Sequence, residues 1–321
     1  MNSEEHLKPD RRWEIWKCYT HQEYLDRFFI PGKFHKEVPD PIKEAYLSVE
    51  RLISYSYFYY PLTEEVHSKM TRIFEMAVRM RAEHLGIVIK KKFISLQDYI
   101  ECFERRDEFD KALIQALTGA RKLRNVFAHT KSPQYSGPIG YNNIIYLINL
   151  VNRIFTDANT YNKLIDNIKP IREIISLWNY PVMVFETSKN RYLIHSIYPL
   201  LMSQDREKSI WMLDPILMAF PQTREQLKVV EPFFVKLQRL GIDNNNIEGF
   251  DLKTKSQIRI VPTRTKDDND RAARFKSEYE SADESVRRLY NSYKDSQVYS
   301  QLDRFIYEEF WNIAPSELGA Q

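Results

Sequence analysis

The chain has 321 residues, with 47 Lys and Arg against 44 Asp and Glu, a formal net charge of +3 that permits a polyanionic partner without demanding one. Hydrophobic residues at 43% and aromatics at 13% are enough for a sizeable core, which excludes a wholly disordered chain. The 8 glycines build no phosphate-cradling loop and the 2 cysteines no metal spacing or disulfide framework, so P-loop, Rossmann and zinc-module readings lack support.

Residues 1–36 read as an N-terminal arm of short helices, docked by Trp13, Trp16, Tyr24, Phe28 and Phe29. It carries no apolar stretch of signal-peptide length, and no run in the chain is long enough to span a bilayer. A cytoplasmic protein with no membrane partner is the expectation. From Pro41 to Pro61 the apolar positions fall at helical spacing. A second helix runs from Leu62 to a stop at Gly86, and a third is capped by Ser95. A fourth covers "DEFDKALIQALTGARKLRNVFAH", and a fifth covers "YNNIIYLINLVNRIFTDA" after the breaker-rich "SPQYSGPIG".

Beyond about residue 170 the texture changes. "YPVMVFETSKNRYLIHSIYPLL" predicts a hairpin with strands at 182–186 and 191–197 around "TSKN". "SIWMLDPILMAF" and "QIRIVPT" supply further strands, "REQLKVVEPFFVKLQRLGI" reads as helical, and one or two charged helices close the chain. The expected fold class is therefore mainly α. An up-and-down helical bundle over 37–170 follows the arm, and a smaller mixed α/β domain occupies 171–321.

The candidate chemistry lies in "RKLRNVFAHT", where Arg124, Asn125 and His129 are flanked by Arg121, Lys122 and Lys131. A guanidinium is the natural fork for a phosphate, and an imidazole moves protons near neutral pH. Asn125 and His129 are four residues apart and share a helix face; Arg124 lies about 140° from His129, at roughly 100° per residue, unless the helix ends there. The bare spacing recurs at Arg79 and His84, which read as surface residues, while Glu75, Arg79, Arg81 and Glu83 read as pairs along one helix, with the alternative that one of them lines the same cleft as the motif. The ordinary reading of the motif is a solvated histidine favourably placed at a helix C-terminus, beside a surface arginine.

With Arg-Asn-x-x-Ala-His near the end of a late helix, the region from about 37 to 165 resembles the HEPN superfamily, whose consensus is Arg-x(4–6)-His with a polar residue directly after the Arg. Arg124, Asn125 and His129 match position by position. The resemblance implies metal-independent RNA cleavage with no cofactor, by attack of a 2′-OH that leaves a 2′,3′-cyclic phosphate. It further implies a homodimer or higher even oligomer pairing two motifs, a toxin or anti-phage role, and a regulatory or inhibitor protein. A non-catalytic bundle that binds RNA or a partner protein is the alternative. Lys253, Lys255, Arg259 and Arg264 form a second basic cluster for an RNA backbone, although Asp267, Asp268 and Asp270 interrupt the basic run just beyond Arg264.

Overall fold

A computed structural model describes residues 7–128, 137–157, 167–178, 182–202, 208–216, 219–243, 246–263 and 265–311. Two compact units divide the chain: Met1–Ala158 with Asp303–Pro315, and Asn159–Leu302 with Ser316–Gln321.

The first unit is helical. A 3-10 turn at Arg11–Trp16 precedes α1 (His21–Phe28), α2 (Asp40–Ser56), α3 (Leu62–His84), α4 (Leu96–Arg105), α5 (Lys111–Ala128) and α6 (Tyr141–Phe155). Local chemistry sets the ends. Thr20 with Glu23 and Ser95 with Asp98 form capping boxes at α1 and α4. Pro61 comes just before α3, and Gly86 adopts φ +63° just past its end, a left-handed value that suits glycine.

The axis of this unit is α6, which buries Ile144, Leu147, Ile148, Val151 and Ile154. Two buried asparagines on it tie down distant chain. Asn152 accepts from the His35 N–H at 3.1 Å and donates to the Lys33 carbonyl at 2.9 Å. Asn149 donates to the Asp303 carbonyl at 2.8 Å and accepts from Trp311 Nε1 at 3.0 Å. The N-terminal arm is part of the same core, because Trp13 and Tyr24 are fully buried and donate to the Ser56 and Ile53 carbonyls, each at 2.8 Å.

The second unit overturns the expected fold class. After α7 (Lys169–Ser176), six strands follow: β1 (Met183–Thr187), β2 (Arg191–Met202), β3 (Lys208–Pro215), β4 (Phe233–Asp243), β5 (Asn246–Asp251) and β6 (Ser256–Pro262). Each strand pairs antiparallel with the next, and β6 returns to β1 to close a barrel. A helical bundle followed by a smaller mixed α/β domain is therefore not the architecture. Phe185, Ile194, Trp211, Leu213, Val235, Leu237, Ile247, Ile258 and Ile260 fill the barrel interior. Ile168, inside the 37–170 span expected for the bundle, packs into that same core.

The physical reason for the error is local. Residues 233–243 have enough Leu, Val, Lys and Gln to pass as a helix, but Pro232 denies a helix its N–H, and Val235 and Leu237 alternate inward with Lys236 and Gln238. Register shifts interrupt β2 at Ile194/Ser196 and Pro199/Leu201, and β4 between Gln238 and Gly241, where Arg239 has φ 57°. Such bulges supply the bending that closure needs and break the period from which a strand is recognised in sequence. Two helices, α8 (Lys266–Ser281) and α9 (Glu284–Phe305), follow the barrel, with a π turn at Ile306–Phe310 after them.

Candidate active site

Helix α5 is started by Asp110, whose carboxylate accepts from the Leu113 N–H at 2.7 Å. Its face of Leu113, Ile114, Leu117 and Ala120 is buried, and it turns half-exposed from Leu123 onward. At that transition Arg124 extends across to α3. Its Nε and Nη2 donate to Glu75 Oε2 at 3.2 and 3.1 Å, and its Nη1 donates to Asn125 Oδ1 at 3.2 Å. Arg124 and Glu75 are 31% and 26% exposed, so the pair is neither sealed in nor fully hydrated. The sequence favours a Glu75 paired along its own helix, with a place in the cleft as the alternative. Glu75 pairs with the motif arginine, a contact between elements 49 residues apart that no spacing rule can announce.

The last described turn of α5 rests on a second contact with α3. The ring of Phe127 stacks on the imidazole of His67 at 4.7 Å and 11° between planes. His67 is 2% exposed, its Nε2 has no hydrogen-bond partner, and Thr63 Oγ1, one turn earlier, is a second buried atom without one. Burial pushes the His67 pKa down to about 4, against an opposing pull from the Gly137 backbone, so the ring is neutral at physiological pH. Gly137 has φ +52°, and a Cβ there would stand 1.9 Å from the Tyr60 hydroxyl, so only glycine fits. The chain thus enters the motif stretch from a turn held by His67 and leaves it at a glycine held against Tyr60.

The structure brings Arg124 and Asn125 together; His129 and Lys131 lie outside the described residues, as does Arg264. Of the flanking cations, Lys122 is exposed and Arg121 half-buried, with its Nε atom buried and without a partner. The rival pair Arg79 and His84 is exposed on α3, as expected of surface residues.

The second basic cluster belongs to the barrel unit and is partly committed there. Lys253 and Lys255 are exposed on the β5–β6 turn, which Asp251 organises by accepting from the N–H groups of Lys253 and Thr254 at 3.3 and 3.0 Å. Arg259 faces Glu186 on one neighbouring strand and Glu248 on the other, with Nε 3.5 Å from Glu248 Oε1. A guanidinium already beside the Glu248 carboxylate is a poor phosphate ligand unless a competitor displaces it. Sequence reasoning missed His67, and named Glu75 only as one of four residues that could line the cleft. The signal for His67 was present, since Thr63, Val66, His67, Met70 and Phe74 share the buried stripe of α3.

No family model matches the chain, and neither a curated protein nor a solved structure does.

Proposed function

We propose that the protein is an endoribonuclease of the HEPN type, cleaving RNA without a metal by attack of a 2′-OH on the adjacent phosphate. The observation that carries this reading is the arrangement of Arg124, whose planar fork is oriented by Glu75 and joined to Asn125 within five residues of His129. In this mechanism Arg124 meets the charge that develops on the phosphate, as a donor already held in place. Asn125 orients the phosphate or the imidazole, and His129 moves the proton at the attacking or leaving oxygen. One histidine falls short of an acid and a base, and a two-fold dimer supplies the second. The toxin or anti-phage role and an inhibitor protein follow from the family resemblance alone.

The second reading, a binding bundle without catalysis, is favoured by one feature. Glu75 occupies two of the nitrogens that a phosphate would use, which suits a structural ion pair. Incubating wild type and His129→Ala with total RNA in EDTA, and reading the cut ends, separates the two. Cyclic phosphate ends that vanish in the variant support the nuclease. Retention of RNA with no cuts, over a panel of sequences, supports the binder. Full activity in His129→Ala ends the assignment.

A further inference from the structure

The loop between α3 and α4 reads "LGIVIKKKFIS" over residues 85–95. It is anchored at both ends. Gly86 turns the chain, Ile87 packs against the core and donates its N–H to the Ala82 carbonyl at 2.9 Å, and Lys91 is tied to Asp98 in the capping box of α4. Between those anchors Val88 is 83% exposed, Phe93 82% and Ile94 39%, so large apolar groups are held out in water. Lys90 and Lys92 are exposed beside them, with Lys92 Nζ 5.6 Å from the Phe93 ring centre.

We propose that this loop docks on an anionic lipid surface, Phe93 and Val88 entering the interface while Lys90 and Lys92 meet acidic headgroups. Apolar side chains beside lysines are the composition that interfacial binding selects, because burial of the first and attraction of the second act on one surface. Single-stranded RNA fits less well. Such sites combine a basic track with several rings for stacking, whereas here one ring stands between aliphatic groups that have no π-face. The loop lies roughly 25 Å along α3 from the His67 end, at ~1.5 Å per residue, and is distinct from the motif. The expectation of no membrane partner rested on the lack of a spanning segment. Among the described residues no helix is long and apolar enough to cross a membrane, and a peripheral contact needs none.

Co-sedimentation of the full chain tests this, using phosphatidylcholine vesicles with and without phosphatidylserine at roughly two to one. The expected result is retention on the acidic vesicles only, weakened by high salt. Lys90→Glu with Lys92→Glu should lower binding more than ~tenfold, since each lysine is worth about fivefold near an acidic surface. Phe93→Ser should lower it about fivefold or more at any salt, with an unchanged circular dichroism spectrum for both variants. Absence of vesicle binding, equal binding to neutral vesicles, variants that bind as wild type, or single-stranded RNA held through these residues instead would each overturn the proposal. His129→Ala should bind as wild type, so the nuclease reading stands or falls separately.

Discussion

The buried carboxylates of the barrel unit and the buried polar atoms of α3 beneath the motif are treated differently. In the barrel unit the buried carboxylates terminate something. Asp251 accepts four hydrogen bonds, from Lys236, Lys253 and Thr254, and fixes the β5–β6 turn. Asp268 accepts from the hydroxyl of Thr265, the N-cap of α8, and from Thr263, and pairs with both outer nitrogens of Arg191, while Asp214 pairs with Lys294. On α3, beneath the last described turn of α5, His67 Nε2 and Thr63 Oγ1 are instead buried without partners. An unsatisfied buried group costs about 1–3 kcal/mol. Satisfied charge specifies the turn and helix start of the barrel unit, while the two unpartnered atoms of α3 are retained at a cost to stability beside the motif, as Trp178 Nε1 is in the barrel unit.

If that contrast is right, a variant at the motif should change chemistry more than stability. The largest effect is expected from Arg124→Ala, which should slow RNA cleavage ~10²–10³-fold, the range for removing one preorganised donor to a developing oxyanion. Its melting temperature should hardly move, because Glu75 is already partly exposed and can rehydrate. A variant that unfolds easily but still cuts RNA would place Arg124 with the barrel carboxylates instead.

Next comes His67, read through pH. Its folded pKa of about 4 lies below the ordinary value near 6.5, so the unfolded chain binds the extra proton between them. The contribution is complete above about pH 6.5 and is lost as the pH falls toward 4, up to about 3 kcal/mol at ~1.4 kcal/mol per unit. His67→Phe keeps a ring against Phe127 and removes the titration. Denaturant midpoints from pH 4 to 8 should lose that acid slope, and an unchanged slope would mean another group sets it.

The converse variant lies in the barrel. Arg191→Leu leaves the Asp268 carboxylate, 1% exposed, with the Thr263 and Thr265 hydroxyls as its donors. Stability should fall by about 2–3 kcal/mol, below the ~3–5 kcal/mol of a fully buried pair because Arg191 is itself half-exposed. The Arg191 side chain holds the Asp268 carboxyl well below the ordinary range, so the lost stability is the part present above about pH 4 that wild type surrenders in acid. RNA cleavage by the folded variant should be unchanged.

How much of this was legible in the sequence follows from the range of each signal. Helices α2 to α6 announce themselves because an apolar stripe at helical spacing is a local property, and Ser95 and Gly86 punctuate it. The β1–β2 hairpin was legible for the same reason, through a polar turn between alternating runs. The barrel was not. Closure depends on β6 finding β1 some seventy residues away, on bulges that spoil the period of β2 and β4, and on β5, whose Asn, Glu, Gly and Asp disguise a strand with only Ile247 and Phe250 to show for it. At the candidate site the chain displays Arg124 and Asn125 as neighbours, yet the carboxylate that aims the arginine and the histidine beneath Phe127 come from another helix. Tertiary partners of this kind leave no mark on spacing.

The smallest predicted effect is the sharpest test of the contrast, because it concerns a carboxylate in the helical unit. Asp303 ends α9 where the chain rejoins that unit, and burial raises its pKa to about 6, with the Asn149 side chain pulling the other way. Its folded pKa exceeds the ordinary 3.8, so the folded state holds the extra proton between those values, and stability falls as the pH rises through that window. The sign is opposite to that of His67, and in wild type the two slopes partly cancel over roughly pH 4–6. Asp303→Asn keeps the backbone carbonyl that accepts from Asn149 and removes the ionisation. The variant should gain about 1–2 kcal/mol at pH 7, discounted for partial exposure, and nothing at pH 4. Combined with His67→Phe, it should leave the gentler rise with pH that His35 contributes, because burial lowers its pKa too. A loss of stability at pH 7 would show that the Asp303 carboxylate serves the fold as Asp268 does, and the contrast between the units would fail at this residue.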